Sequence, residues 1–280
     1  MTWRSDSLRR ARPSLGTLVD IRASGAPQHV LAAGIAAAFA AVDQVHRLMS
    51  FHSPESDLSR LNRRAAGESV QVHAWTWQVL RAARLLWERT GGLFDCSVAP
   101  ALVRAGFLPR SNGTHADGAR MGDVHLDPHR RVRFGKPLML DLGGIAKGFA
   151  VDRAADALRA AGVPQGAINA GGDLRLFGKD PEPVHVRSPE SPGELLLLGM
   201  FTDTAIATSA TYCAGYEKGG RWVTPIVDPE SGENIDSRRS ATVIAPECLY
   251  ADALTKPVLL CGMATAVFLQ RFSARAVVLG

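Results

Sequence analysis

Two glycine turns one helix apart, each beside an acid, constrain this chain more than any other feature. The first is Asp141-Leu-Gly-Gly-Ile-Ala-Lys-Gly148 and the second is Ile168-Asn-Ala-Gly-Gly-Asp173. Paired glycines let the backbone approach a ligand closely and aim N–H groups at it. The first turn also carries Lys147, a compact positive charge that suits a phosphate. Residues 138–141 read as a short buried strand. Residues 146–161 read as a helix, with Phe149, Ala150, Ala154, Ala157 and Leu158 on the inner face. Asp152, Arg153, Asp156 and Arg159 fall outside, and Gly162 is the stop. A Gly-Gly pair by itself is a simple turn, and this spacing is neither the P-loop nor the Rossmann fingerprint. The residues alone therefore point to a phosphate-bearing ligand and to no particular nucleotide family.

Six further segments stand in order around these turns. They are Gly16-Thr17, the run Met49-Ser-Phe-His-Ser-Pro-Glu-Ser-Asp-Leu-Ser-Arg-Leu-Asn62, and Gly91-Gly-Leu-Phe-Asp95. Ala207-Thr-Ser209, Val227-Asp-Pro-Glu-Ser-Gly232 and Ala251-Asp-Ala-Leu254 follow. Together with the two turns they resemble the ApbE-type FAD:protein FMN transferases, over residues 13–262. The resemblance implies a compact α+β fold whose two lobes enclose a flavin nucleotide. It implies transfer of FMN from FAD to a threonine or serine hydroxyl of an acceptor flavoprotein subunit, with release of AMP, and a need for Mg2+. Carried over by position, FAD would be contacted by Leu15, His52, Leu93, Phe94, Asp95, Asp141, Lys147, Asn169, Gly171, Gly172, Asp173 and Ser209. The metal would be held by the backbone of Gly144 and by Asp252 and Thr255.

The chain departs from the family pattern at four places. Leu15 stands where relatives carry methionine, and His52 where they carry tyrosine. The histidine that precedes Ile-x-Asp-Pro is absent, the segment reading Thr224-Pro225-Ile226. No catalytic residue is therefore assigned, His52 being the one candidate. Lys256 stands four residues after Asp252, where a hydroxyl ligand is usual, and an ammonium cannot ligate a cation. Either Thr255 supplies that oxygen or Lys256 supplies part of the metal's charge, so weaker Mg2+ binding is expected. The alternatives to a transferase are an FAD pyrophosphatase releasing FMN and AMP, and a flavin-binding protein whose chemistry is impaired.

With 280 residues, 46% hydrophobic and 21% charged, the chain reads as an ordinary globular protein. Residues 1–14 read as a basic tail and 15–280 as a single domain. Strands and helices mix without strict alternation, which argues α+β against a doubly wound sheet. Strands are expected at 18–23, 70–73, 124–126, 131–134, 195–201, 205–208, 224–227, 240–244 and 276–279. Helices are expected at 28–48, 57–62 behind a Ser56 cap, 76–90, 249–261 and 264–271, with polar loops at 111–122 and 179–193. The net charge of +5 suits an anionic ligand, and no basic stripe with interleaved aromatics predicts a nucleic-acid partner. The apolar run 30–42 is too short for a membrane span and reads as a buried helix. No signal or lipid-anchor pattern is seen at the start, so a cytoplasmic location is expected, or a periplasmic one if a leader was removed. Cys96, Cys213, Cys248 and Cys261 lack CxxC spacing and read as free, buried thiols.

Overall fold

The structure is a computed structural model and describes residues 7–280 apart from Asn112, Pro192 and Cys213. The chain begins β1 (Ser7–Ser14), β2 (Thr17–Ser24), α1 (Gln28–Met49), α2 (Asp57–Arg64), β3 (Val70–Gln71), α3 (Ala74–Arg89) and α4 (Ala99–Arg104). It continues β4 (Val124–Asp127), β5 (Arg131–Phe134), α5 (Ala146–Ala160), β6 (Gln165–Ala170), β7 (Asp173–Phe177), β8 (Glu182–Arg187) and β9 (Leu195–Phe201). It closes with β10 (Ala205–Ala210), β11 (Tyr216–Lys218), β12 (Arg221–Val223), β13 (Ser240–Ala245), α6 (Cys248–Cys261), α7 (Ala266–Leu269) and β14 (Arg275–Leu279).

A seven-stranded antiparallel sheet in the order β1-β2-β6-β7-β10-β13-β14 organises the molecule. Period-two alternation in β2 turns Val19, Ile21 and Ala23 toward the helices and leaves Leu18 in solvent. The layer above is α1, α5 and α6, with α5 packed between its two neighbours. In α1, Leu31, Ile35, Ala38, Val42 and Val45 recur at helical spacing and are buried. This helix is long and apolar enough to pass a membrane-span test by length and composition, yet its inner stripe belongs to the core. The sheet's other face is partly covered by the β8–β9 hairpin, where Val184, Leu198 and Phe201 pack on Leu174, Leu176 and Ile206. A small sheet, β3-β5-β4, sits with α2 and α3 at the far end of the same continuous core. The α+β expectation holds.

Several expectations are corrected. Residues 7–14, read as a basic tail, form β1 and pair along their whole length with β2. Arg9 bonds Asp20, and Arg12 bonds Asp43 at 2.6 Å. Charged side chains suit an edge strand, which explains why the segment lacks an apolar signature. Residues 179–193, read as a loop, contain β8, whose Val184 and Val186 alternate with exposed neighbours. Pro183 is tolerated in this two-stranded ribbon, as at other sheet edges. Residues 224–227 form no strand and make a single bridge from Val227 to Asn234. The expected helix over 264–271 breaks into 3-10 turns around the four residues of α7. Cys261 is exposed, whereas Cys96 and Cys248 are buried as expected, and Cys213 lies outside the described residues.

Residues 138–141 also fail to join a sheet, although Leu138 and Leu140 are buried. A side-chain amide takes the place of the partner strand. Asn62 donates Nδ2–H to the Leu140 carbonyl at 2.9 Å, and its Oδ1 accepts the Leu140 amide at 2.8 Å. The Asp141 amide bonds the Cys96 carbonyl at 2.8 Å. The approach to the first glycine turn thus hangs on one residue of α2, a helix capped by Ser56 as its sequence predicts. Asn62→Ala leaves two buried backbone groups unpaired. It is expected to lower stability by about 3 kcal/mol, read as the shift of the urea midpoint at constant slope.

Candidate functional site

A cavity of about 720 Å3 lies where the sheet's open face meets the N-terminus of α5. Its walls are Leu174, Ile206 and Thr208 of the sheet, Val184, Val186 and Leu195 of the hairpin, and Phe107 and Leu108 beyond α4. Its polar end holds Asp141, Gly143, Gly144, Lys147, Asn169, Gly171, Gly172, Ser209 and Lys256. A smaller cavity of about 70 Å3 adjoins it, sharing Asp141, Gly144, Pro225, Ile226 and Lys256 and adding Leu93, Phe94 and Asp95. The two cavities therefore gather nine of the twelve expected flavin-site residues.

The second turn requires its glycines. Gly171 and Gly172 have φ of +62° and +103°. A methyl at Gly171 would run into Thr17 Oγ1, and one at Gly172 would sit 3.2 Å from the Thr208 carbonyl. Asn169 Oδ1 accepts the Gly172 amide at 3.0 Å and closes the turn.

Behind the polar end lies a quartet of alternating charges. Lys147 Nζ donates to Asp173 Oδ2 at 2.5 Å and to Asp252 Oδ2 at 3.4 Å. Asp252 Oδ2 also accepts the Gly148 amide at 3.1 Å, while its Oδ1 accepts Lys256 Nζ. Both carboxylates are buried, and the lysine side chains are 31% and 18% exposed. Burial works to lower the Lys147 pKa, but the facing Asp173 and Asp252 outweigh it and hold it above the ordinary value. Burial likewise pushes Asp252 up, yet Lys147 and Lys256 prevail and keep it below the usual carboxylate range. Asp173 is pushed up to about 6 by burial and by the like charge of Asp252.

Leu15, Asp173 and His52 line neither cavity. Leu15 is outside the cavity. Because residues 7–14 are a strand, Leu15 and Gly16 form the two-residue β1–β2 hairpin turn, with φ of +55° and +72°. Leu15 lines a separate depression with Pro13, Asp43 and His46. Asp173 stands behind Lys147 rather than on the wall, its carboxylate engaged by that ammonium. Asp95 is 6% exposed, and its Oδ1 accepts the Ser97 amide at 2.7 Å and the Met121 amide at 3.2 Å. His52 is exposed; burial raises Asp141, and the Gly143 amide, His52 and Lys256 draw it back.

The fold has an ApbE counterpart throughout. The ApbE family matches residues 15–278. An FAD:protein FMN transferase from Vibrio cholerae is 30% identical over 240 residues, which cover 79% of this chain and 71% of that protein. This chain belongs to the ApbE family. Among solved structures it is similar to the ApbE protein of Thermotoga maritima, with a TM-score of 0.83 at 26% identity, over 97% of this chain and 94% of that one. The apo flavinyl transferase ApbE of Pseudomonas stutzeri shares the fold, with a TM-score of 0.82 at 23% identity, over 99% and 92% of the two chains.

The ApbE pattern would set Mg2+ on Gly144, Asp252 and Thr255, and the donors present do not fit it. Asp252 has both oxygens taken by ammonium and amide hydrogens. Thr255 Oγ1 gives its proton to the Asp252 carbonyl at 2.7 Å, so Ser209 donates to it, also at 2.7 Å. Among the described residues no group of three or more His, Cys, Asp or Glu gathers to hold a metal.

The ApbE resemblance also left parts of the site unseen. Of the hairpin wall, β9 falls at the expected 195–201, whereas β8 was hidden by Pro181 and Pro183; the period-two run Val184-His185-Val186-Arg187 was its one signal. Asp152, read as an outer residue of its helix, is 7% exposed and accepts the Cys248 and Leu249 amides at 2.9 and 2.8 Å. It caps α6 from a neighbouring helix, so intrahelical periodicity could not reveal it. Burial pushes its carboxyl up to about 6 from 3.8, with the two amides pulling back. A native value above the unfolded one makes ionisation disfavour the folded state. This contribution to stability is therefore greatest below about pH 4, falls between about pH 4 and pH 6, and is flat beyond. Asp152→Asn is expected to remove that decline, a difference of about 3 kcal/mol between urea melts at pH 4 and pH 7.

Proposed function

We propose that this chain is an FAD:protein FMN transferase, moving FMN from FAD to a serine or threonine hydroxyl of an acceptor flavoprotein subunit and releasing AMP. The observation that carries this is the Lys147 ammonium, fixed by Asp173 and Asp252 on the wall of a ligand-sized cleft at the N-terminus of α5. Family membership and the activity named for the relatives support the same reading.

The acceptor oxygen bonds to the FMN-side phosphorus, the P–O bond to the AMP phosphate breaks, and the hydroxyl proton must leave. Two lysines carry the charge of the diphosphate and of the departing AMP. The α5 terminus adds its dipole, although its Ala146 and Gly148 amides are already held by the Leu142 carbonyl and by Asp252. We assign the proton to Asp141, the one carboxylate on the main cleft wall among the described residues. Its burial makes it a better proton acceptor than an exposed aspartate. The oxygens that Mg2+ would use already hold ammonium and hydroxyl partners, so the lysines supply the counter-charge here.

Pro225 and Ile226 line the cleft where relatives carry a histidine, and this favours a second reading with impaired transfer. Incubation with FAD in magnesium buffer, with and without a threonine-containing acceptor peptide, separates the cases. AMP together with covalent flavin on the peptide is the expected result. AMP without modified peptide marks a pyrophosphatase, and retained flavin without AMP marks a binding protein.

A further inference from the structure

We propose that Lys256 occupies the place a divalent cation would hold against Asp252, so that an ammonium and not a metal faces the diphosphate in this chain. The inference rests on the flavin-nucleotide reading of the cleft and adds how its charge is balanced.

Lys256 follows Asp252 by one helical turn of α6, so its side chain folds back over the aspartate. Its Nζ donates to the Asp252 carbonyl at 2.8 Å and to Oδ1. An ammonium has three donors, so one remains for a phosphate oxygen. The group stands at the junction of the larger and smaller cavities and lines both. Gly144 makes room for it: a methyl there would sit 3.3 Å from Lys256 Cε and 3.9 Å from Nζ. A metal ion approaching Asp252 Oδ1 must displace this ammonium and then lie beside it, like charge against like charge. On the other oxygen it meets the Gly148 amide and Lys147. Thr255 keeps one lone pair after donating to the Asp252 carbonyl and accepting from Ser209, and a single neutral oxygen does not offset the two ammonium groups on Asp252.

The test is metal and FAD binding to the full chain. Mn2+ is titrated by its electron paramagnetic resonance signal, and FAD by flavin fluorescence in EDTA and in Mg2+. Wild type is expected to hold no stoichiometric Mn2+ and to bind FAD with an affinity that differs less than about twofold between the buffers. Lys256→Thr is expected to gain one Mn2+ site and to bind FAD about tenfold tighter with metal than without. One tightly held Mn2+ per wild-type chain, with FAD affinity falling about tenfold in EDTA, overturns the inference and leaves the flavin reading intact. Failure to bind FAD in either buffer overturns the flavin reading itself. Should Lys256→Thr not fold, the wild-type titrations decide alone.

Discussion

Lys147→Met is expected to abolish measurable AMP release from FAD, a loss of about a thousandfold or more, and to destabilise the fold by about 3–5 kcal/mol. The two effects have one origin. Lys147 is the counter-ion shared by Asp173 and Asp252, which are 2% and 0% exposed. Without it, two buried carboxylates face each other across an apolar methionine. The Asp173 carboxyl, already raised by burial and by Asp252, then rises further. Stability lost at pH 7 should therefore return as the pH falls and that group takes up a proton. Lys147→Met combined with Asp173→Asn separates the roles. The pair should recover most of the thermal stability and none of the activity. Calorimetry and AMP release read the two outcomes independently. Full activity in Lys147→Met would remove the central support for phosphoryl chemistry at this cleft.

Gly148→Ala is the second large effect, and its sign runs against helix propensity. Alanine is favoured over glycine inside an isolated helix by about 1 kcal/mol. Here the added methyl would meet the Cys248 carbonyl, with the Cys248 carbonyl carbon at 2.6 Å and Asp252 Cβ at 2.8 Å. The atoms in the way are mainly backbone, so α5 and α6 must part. The expected net loss is about 3 kcal/mol, or a melting temperature lower by about 10 °C, measured by scanning calorimetry. The same separation draws Asp252 away from the Gly148 amide, so FAD affinity should fall in step. A stabilised Gly148→Ala would show that the crossing of α5 and α6 is looser than described.

The glycine turns, the helix between them and the Ser56 cap were legible because each is a local rule, written within a few residues. The same holds for the β4–β5 hairpin around Asp127-Pro128. What escaped was long-range. β1 is a strand because β2 pairs with it, and its arginines find partners on β2 and α1. Residues 138–141 look like a strand by composition, yet an amide 78 positions away supplies the hydrogen bonds that a ladder would give. Asp152 and Asp252 fall in helices by pattern, but their roles come from neighbouring elements. Of the residues that family resemblance named, Asp141, Lys147, Asn169, Gly171, Gly172 and Ser209 line the main cleft. The resemblance misplaced Leu15, since a single strand pairing turned that residue into a hairpin corner.

The quartet of Lys147, Asp173, Asp252 and Lys256 joins three separate elements, α5, β7 and α6, through groups of opposite sign. Replacing Lys147 alone strands opposite charges in a poorly solvated interior. Sequence drift at Lys147 is thereby tied to matching exchanges at Asp173 and Asp252, and the seam between the helices and the sheet sets how far the site can be remodelled.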